Sequence, residues 1–262
     1  MITSTAIEHI YQWPQNEEIV FIHPPKEGYN GQLENFYDPN QFHELQTIKD
    51  NWEKIRDEIL EFEKRQGYVS GSDSPSASNN SVGGDWSFKY IKSFNRQFFR
   101  NRKLFPITTS IIDSIPNVVM AAISILPGNT KIAPHFGDTN GIVRGHLGLI
   151  VPAPYPEITI KVRDEEMGWE EGKMFCFINV QRHEVWNNTD QRRYVILFDF
   201  VPEPLKPRLY EICSKGLASQ THNYFYAHNA LYRKMPEWVY ESNRFVLRYV
   251  WRAILAVQNL FV

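Results

Sequence analysis

The feature that most constrains this sequence is a series of short β-rich segments between Asn117 and Pro202, with no helical pattern between them. Turn residues such as Pro-Gly-Asn and Asn-Asn-Thr-Asp separate five segments: Val118–Leu126, Ile142–Val151, Ile158–Val162, Met174–Val180 and Tyr194–Val201. Short strands joined by turns, without intervening helices, favour antiparallel pairing over alternating strands and helices. The pattern therefore predicts an antiparallel sandwich or barrel.

Helical patterns flank this β-rich region on both sides. Apolar residues recur at three- and four-residue spacing over residues 42–64, which predicts an amphipathic helix. A second apolar stretch, residues 245–262, is too short to span a bilayer and carries Arg248 and Arg252. It predicts a helix that packs on the barrel or on a partner subunit, with contact to a membrane surface as the alternative. The predicted fold class is mainly β with flanking helices.

We predict a single domain with three parts. Residues 1–104 form an N-terminal region of helix and loop, residues 105–203 the β core, and residues 204–262 a C-terminal helical extension. Residues 69–85 are rich in Ser, Gly, Asn and Asp, and this composition predicts a flexible loop. Such a loop is either a surface insertion or a lid over a site.

Composition excludes several classes of function. The chain of 262 residues has a formal net charge of −2 and no basic stripe, which argues against nucleic acid as a partner. Its two cysteines allow neither a disulfide framework nor a cysteine-based zinc site. Residues 1–15 lack the basic and apolar blocks of a signal peptide. We expect a soluble cytoplasmic protein, and a homo-oligomer remains open.

Two histidines at the edges of the predicted sheet region are candidate metal ligands. His135 lies in Ala-Pro-His-Phe-Gly-Asp and His183 in Gln-Arg-His-Glu-Val-Trp. Imidazole suits divalent iron, and a barrel brings distant strands onto one inner surface. Non-haem iron oxygenases usually add a carboxylate two residues after the first histidine, where this chain has Gly137. Two separated histidines also fit surface or core positions, so their spacing leaves the question open.

Arginines within the predicted strands are the next candidates. Arg144 and His146 lie on one predicted strand, and Arg193 directly precedes another. An arginine in an apolar strand is costly unless it is paired. A dicarboxylate such as 2-oxoglutarate would supply a partner through charge-assisted hydrogen bonds, and so would a nearby Asp or Glu.

Several motifs resemble those of the aspartyl/asparaginyl β-hydroxylases, and they occur in the same order along the chain. They are Pro134-His135, Thr139-Asn140, Arg144, His146-Leu147-Gly148-Leu149, Trp169-Glu170-Glu171-Gly172-Lys173, His183-Glu184-Val185-Trp186 and Arg193. The resemblance covers roughly residues 35–205. It implies a double-stranded β-helix, also called a jelly roll or cupin-like fold.

The resemblance also implies an iron(II)- and 2-oxoglutarate-dependent dioxygenase that uses O₂ and decarboxylates 2-oxoglutarate to succinate. Carried over by motif, His135 and His183 are the catalytic iron ligands. Arg193 and Ser124 match residues that hold the distal carboxylate of 2-oxoglutarate, and Arg144 and His146 match residues near its chelating end and the substrate. The family lacks the carboxylate ligand, and Gly137 agrees with that.

Departures from the family pattern bear on the substrate. Ile142 stands where members that act on protein domains have an arginine, and Ile178-Asn179 replaces an acidic pair. Asp138 is an additional acid, which either contacts the metal through water or stabilises a turn. We therefore expect a small molecule, an amino acid, a peptide or a lipid precursor as substrate. A halogenase, because glycine also makes room for chloride, and a non-catalytic jelly-roll binding protein are the alternatives.

Overall fold

The structure is a computed structural model that describes residues 11–14, 17–24, 28–69, 71–73 and 80–258. The strands are β1 (Phe36–Tyr37), β2 (Ser81–Val82), β3 (Ser87–Ser93), β4 (Arg96–Gln97), β5 (Val118–Leu126), β6 (Thr130–His135), β7 (Val143–Ile150), β8 (Ile158–Val162), β9 (Glu165–Gly168), β10 (Met174–Phe177), β11 (His183–Asn187) and β12 (Arg193–Phe200). The α-helices are α1 (Gln46–Asp50), α2 (Trp52–Gln66), α3 (Phe99–Leu104), α4 (Pro106–Asp113), α5 (Leu209–His228) and α6 (Glu237–Gln258).

The strands form two sheets. A seven-stranded sheet has the order β1-β10-β7-β12-β5-β3-β4, and a five-stranded sheet has the order β2-β6-β11-β8-β9. The strand pairs in both sheets are antiparallel. Apolar side chains from both sheets, including Leu126 and Val195 of the large sheet and Ile160 and Val185 of the small one, form one buried cluster. This sandwich confirms the jelly-roll, mainly β fold class.

The register of the large sheet determines which side chains enter the sandwich. Alternate residues of a strand point to opposite faces. On β12, Val195 joins the cluster between the sheets, whereas Tyr194 and Ile196 join the cluster on the outer face. Arg193 lies two residues before Val195 and thus points inward. Polar residues on the inner face are therefore enclosed between the sheets.

Helix α2 covers the outer face of the large sheet. Its Ile55 and Ile59 are fully buried against β7 residues such as Leu147. Glu58 on the same helix accepts hydrogen bonds from the backbone N–H groups of Ile107 (2.6 Å) and Thr108 (2.8 Å). These groups belong to the first turn of α4, where N–H groups have no partner within the helix. Glu58 thereby links the two helices.

Helices α5 and α6 pack together against the edge of the sandwich. Ile212 and Leu217 of α5 and Leu255 of α6 are buried with Val119 and Ile142 of the β core. No helix in the described ranges is long and apolar enough to cross a membrane.

The five predicted strands are present with shifts of at most a few residues, but the sequence pattern missed the other seven: β1, β2, β3, β4, β6, β9 and β11. The sheet also begins before residue 105, because β3 pairs with β5. The predicted helix over residues 42–64 is interrupted at Asn51, and the C-terminal helix begins already at Glu237. Within the predicted loop 69–85, Asp73 accepts a hydrogen bond from the Tyr90 N–H (3.1 Å); residues 70 and 74–79 lie outside the described residues, as do 259–262.

Candidate active site

The two candidate histidines meet across neighbouring strands of the small sheet. His135 ends β6, His183 begins β11, and the two residues are cross-strand partners. Their ring centroids are 4.1 Å apart. Residues 48 positions apart in the sequence are thus brought to one point between the sheets.

Each imidazole is held in one orientation by the backbone two residues before it. The Nδ1 atom of His135 lies 2.8 Å from the carbonyl oxygen of Ala133, and the Nδ1 atom of His183 lies 2.8 Å from that of Gln181. A carbonyl oxygen accepts hydrogen bonds, so Nδ1 carries the proton in both rings. In the neutral tautomer, both Nε2 atoms are then left with a free lone pair, as a metal ligand requires.

The surroundings keep both rings neutral. Burial lowers the pKa of His135, and the Arg144 guanidinium adds to this effect. Burial lowers the pKa of His183 well below its ordinary value, with a further contribution from His135. Neutral imidazole is the form that binds a metal ion.

Gly137 has no room for a side chain. A Cβ atom at this position would lie 2.5 Å from Asn179 Cγ and 2.7 Å from the Asn179 backbone oxygen. The Gly137 N–H donates to that same oxygen at 2.7 Å. In the described ranges, no group of three or more His, Cys, Asp or Glu residues is placed to hold a metal. The position two residues after His135 is therefore closed to a carboxylate.

The Asn179 side chain that lies against Gly137 is itself without partners. It is fully buried, and neither its Oδ1 nor its Nδ2 atom makes a hydrogen bond to any described residue. A buried amide without partners is costly, and such groups commonly face a water or a ligand. Asn179 is therefore a polar group available at the histidine pair.

Arg193 is a buried cation on the inner face of the large sheet. It is 1% exposed, and no Asp or Glu among the residues the structure covers forms an ion pair with it. Its guanidinium carbon lies 4.6 Å from the centroid of the Trp169 ring, and its Nε makes no hydrogen bond. Burial lowers the pKa of Arg193 to about 9. An anion at this point would supply the missing charge.

Ser124 lies beside Arg193 on the same face. Ser124 pairs with Val195 across β5 and β12, two residues from the Arg193–Leu126 pair. Its hydroxyl oxygen accepts a hydrogen bond from Trp86 Nε1 at 2.9 Å. The Ser124 O–H proton therefore remains available to a ligand beside the guanidinium.

His146 lies between the arginine and the histidine pair. Its ring is 5.8 Å from that of Trp169 and 5.1 Å from that of Phe177, which in turn is 5.5 Å from His183. Neither ring nitrogen has a partner among the described residues. Burial, then Arg144 and Arg193, lower its pKa well below the ordinary value. His146 is thus a neutral ring with two unused nitrogens.

Arg144, in contrast, already has a carboxylate partner. Its Nε and one terminal nitrogen donate to the two oxygens of Asp199 at 2.6 and 2.7 Å. Both residues belong to neighbouring strands of the large sheet and face inward. Arg144 therefore contributes a paired guanidinium, and Arg193 an unpaired one.

A cavity of about 550 Å³ is lined in part by Asp138, which lies three residues after His135. Asp138 accepts a hydrogen bond from Gln220 of α5 at 3.2 Å, which ties the C-terminal helices to the segment after His135. Aromatic side chains line much of the cavity: Tyr90, Phe98, Tyr224, Phe225 and Trp251. The cavity has the size of a substrate pocket.

The donor set fits iron(II) and a keto-diacid. Two neutral imidazoles with free Nε2 atoms provide nitrogen ligands, and Arg193 with Ser124 provides a carboxylate-binding end. Sequence reasoning did not single out Asp199, Trp86 or Trp169 as partners of these groups. Asp199 lies in an apolar strand, and a buried acid there was a usable signal.

Comparisons with known proteins show which sequences this chain is similar to. A sequence-family model described as aspartyl/asparaginyl beta-hydroxylase matches residues 49–202. An ornithine lipid ester-linked acyl 2-hydroxylase from Rhizobium tropici is 33% identical over 172 residues, covering 65% of this chain and 61% of the relative. A human aspartyl/asparaginyl beta-hydroxylase is 29% identical over 170 residues, covering 63% of this chain and 22% of that protein. The chain thus spans about three fifths of the first relative's length and about a fifth of the second's.

Among solved structures, a cupin domain of a transcriptional regulator from Enterobacter cloacae is 12% identical, and the match covers 45% of this chain and 98% of that domain. Its TM-score of 0.31 is too low to indicate a shared fold by itself. Helices α5 and α6 lie outside the residues that the family model matches.

Proposed function

The chain belongs to the aspartyl/asparaginyl β-hydroxylase family, and on this premise we propose that it is an Fe(II)- and 2-oxoglutarate-dependent hydroxylase that acts on the acyl chain of a lipid. The observation that carries the proposal is the histidine pair. His135 and His183 face each other with both Nδ1 protons committed to backbone carbonyls, 2.8 Å away in each case. Two fixed, neutral imidazoles with free Nε2 atoms are suited to holding a divalent metal.

In this proposal each group of the site has a separate task. His135 and His183 hold iron through Nε2, and Arg193 binds the distal carboxylate of 2-oxoglutarate with help from the Ser124 hydroxyl. When bound, the iron and 2-oxoglutarate supply the oxidising chemistry by which O₂ hydroxylates an unactivated carbon, with release of succinate and carbon dioxide.

The protein's own contribution is to orient the substrate and 2-oxoglutarate and to exclude water from the site. Trp169, Phe175 and Phe177 surround His146 with ring distances between 5.1 and 5.8 Å. All three rings are buried, and electrostatic interactions are stronger in a site from which water is excluded. The unpaired charge of Arg193 is thereby reserved for an anionic ligand.

An acyl chain is the substrate class that the surrounding residues support best. Half of the sixteen residues that line the cavity beside Asp138 are aromatic or apolar, and the other half are polar or charged. Ile142 is fully buried in an apolar cluster, so this position supplies no cation for an acidic substrate. The Rhizobium relative is described as acting on the ester-linked acyl group of a lipid, which is in line with such a cavity.

The test is succinate release by the iron-loaded protein with ornithine lipid in mixed micelles, compared with an aspartate-containing peptide. We expect the lipid to stimulate release and the product to gain one oxygen atom. His135→Ala and His183→Ala should lose both activity and bound iron. His43→Ala, which removes an exposed histidine outside the site, is the matched control and should retain both.

Three results would overturn the proposal. Full activity in His135→Ala would show that the catalytic metal is not bound at this site. Incorporation of chlorine in place of oxygen would assign a halogenase. Binding of lipid with no succinate release by the wild-type protein would assign a non-catalytic binding protein.

A further inference from the structure

Helix α6 has an apolar face that the described residues leave largely exposed, although Phe245 and Val246 also line a cavity of about 630 Å³ together with Phe21 and Ala218. Its buried side, with Tyr240 and Leu255, packs toward the rest of the fold. Seven large apolar side chains elsewhere on the helix are each between 42% and 69% exposed: Trp238, Phe245, Val246, Tyr249, Val250, Ile254 and Val257. A helix on the surface of a soluble domain normally presents polar residues on its outward side. The outward side of α6 therefore requires a partner.

The spacing of these residues makes the apolar side chains one continuous stripe. Trp238 and Phe245 are seven residues apart, and from Phe245 onward the apolar residues recur at intervals of three and four residues, which places all seven on one half of a helix of about 33 Å. Two further exposed apolar residues, Leu231 and Met235, lie in the connection just before the helix. The stripe thus extends from the α5–α6 connection to the end of the described helix.

Unneutralised arginines border the stripe. The Arg248 guanidinium lies 4.2 Å from the ring centroid of Phe245 and 4.6 Å from that of Tyr249, so it sits at the edge of the apolar surface. Neither Arg248 nor Arg252 forms an ion pair with any acid in the part of the chain that the structure describes. Long cationic side chains at the rim of an aromatic and aliphatic face are typical of helices that lie in a membrane interface.

Charge is also segregated along the chain. Residues 209–262 contain six Lys or Arg and three Asp or Glu, a net charge of +3. Because the whole chain carries −2, residues 1–208 carry −5. An anionic surface would therefore attract the C-terminal helices and repel the remainder, which would orient the protein with α6 toward that surface.

From the exposed apolar stripe, its arginine rim and this charge segregation, we infer that the outward face of α6 docks the protein on an anionic lipid bilayer. The cavity that Asp138 lines is also lined by Trp251 of α6 and by Tyr224 and Phe225 of α5. A docked α6 would bring these residues close to the bilayer, which would give an acyl chain a short route to the cavity.

The experiment is sedimentation of the full chain with vesicles of phosphatidylcholine alone and of phosphatidylcholine mixed with phosphatidylglycerol. We expect binding to the anionic vesicles, about fivefold weaker for Arg252→Gln and about tenfold or more weaker for Val246→Glu, which places a charge in the middle of the stripe. Val82→Glu adds the same charge at a valine on β2 that is 63% exposed, and should bind as the wild type does.

The other occupants of this face are separate outcomes of the same measurement. Absence of vesicle binding by the wild-type protein overturns the inference. So does a homodimer, detected by analytical ultracentrifugation, that Val246→Glu dissociates while vesicle binding is absent. Equal binding to neutral and anionic vesicles would overturn the role given to the arginine rim. Sedimentation needs no turnover, so these results are independent of the proposed reaction.

Discussion

His135 and His183 are direct cross-strand partners, and the register of β6 and β11 shifts immediately beyond them. His183 pairs with His135, whereas Val185 pairs with Ile132, so β6 contains one extra residue at this point. Such bulges redirect side chains and are frequent beside active sites. Pro134 lies within the shifted segment and, having no N–H group, cannot complete a regular ladder. The irregularity is therefore part of how the two imidazoles come to face each other.

A carboxylate introduced at position 137, two residues after His135, should destabilise the fold because there is no room for a side chain. In Gly137→Asp and Gly137→Ala, the new Cβ would meet Asn179 Cγ at 2.5 Å and the Asn179 backbone oxygen at 2.7 Å. We expect the free energy of unfolding of both variants to be lower than that of the wild type by about 1–3 kcal/mol, because overpacking forces the neighbouring residues to shift. The check is urea denaturation of the apoprotein.

The variant Asn179→Ala distinguishes the contact of residue 137 with the Asn179 side chain from its contact with the Asn179 backbone oxygen. In Asn179→Ala, the side-chain contact is removed and the backbone contact remains, so the cost of Gly137→Ala should shrink without vanishing. If Gly137→Asp were as stable as the wild type and bound iron more tightly, the closed geometry at this position would be wrong.

Replacing Arg193 by an apolar residue should stabilise the apoprotein and abolish binding of 2-oxoglutarate. Arg193 is buried, and its charge has no anionic partner among the residues described. We expect Arg193→Met to raise the free energy of unfolding of the apoprotein by about 1–3 kcal/mol, because a well-packed apolar side chain replaces an uncompensated charge. The same change should abolish binding of 2-oxoglutarate, measured by calorimetry with the iron-loaded protein.

The neighbouring arginine supplies the control. Arg192 is exposed, and its guanidinium carbon lies 3.9 Å from the ring centroid of Tyr68. Arg192→Met should leave 2-oxoglutarate binding unchanged and alter stability by less than about 1 kcal/mol. Destabilisation of the apoprotein by Arg193→Met would indicate a structural partner for this arginine instead of a ligand.

The Arg144–Asp199 pair should show strong coupling in a double-mutant cycle. Asp199→Leu leaves a buried guanidinium without its bidentate partner, and Arg144→Met leaves a buried carboxylate without its partner, each at a cost of about 3–5 kcal/mol. The double variant Arg144→Met/Asp199→Leu should recover most of this loss, because neither charge remains buried. Urea denaturation of the two single variants and the double variant gives the coupling energy. Additive effects would mean that the pair contributes no specific interaction.

The sequence predicted the strands of the large sheet far better than those that carry the histidines. Val118–Leu126 is an apolar run interrupted only by Ser124 and coincides with β5, because a strand buried on both faces needs no polar alternation. β6 ends in Ala-Pro-His and β11 begins with His-Glu, so the polar residues that provide the site also hide the strand pattern. The two candidate histidine ligands could be named from motif resemblance, but the pattern did not place them on strands.

Contacts between residues that are distant in the sequence could not be predicted, for a related reason. The Arg144–Asp199 pair and the contact between Gly137 and Asn179 depend on sheet register, which hydrophobic pattern specifies only through inward and outward alternation. The exposed stripe on α6 was equally ambiguous. Its sequence shows apolar residues on several sides of the helix, and packing against α5 decides which of them remain outside.

A buried lysine that is not among the candidate site residues should make the free energy of unfolding rise with pH. Lys92 on β3 lies among Asp113, at 3.9 Å, and Arg102, and burial lowers the pKa of Lys92 to about 8. Between about pH 8 and about 10.4, the ordinary value for lysine, the unfolded chain keeps a proton that the native chain has lost. The free energy of unfolding attributable to Lys92 therefore increases over this window, by about 3 kcal/mol in total.

Lys92→Met tests this argument, because it removes the titrating group while keeping a long apolar side chain in the same place. Urea denaturation at neutral and at alkaline pH should show Lys92→Met to be more stable than the wild type near pH 7 and the difference to shrink as pH rises. Lys89→Met, on the same strand but less buried, should show no such change in the difference. A constant difference for Lys92→Met across this window would mean that Lys92 keeps its proton in the native state, held by Asp113 against the cost of burial.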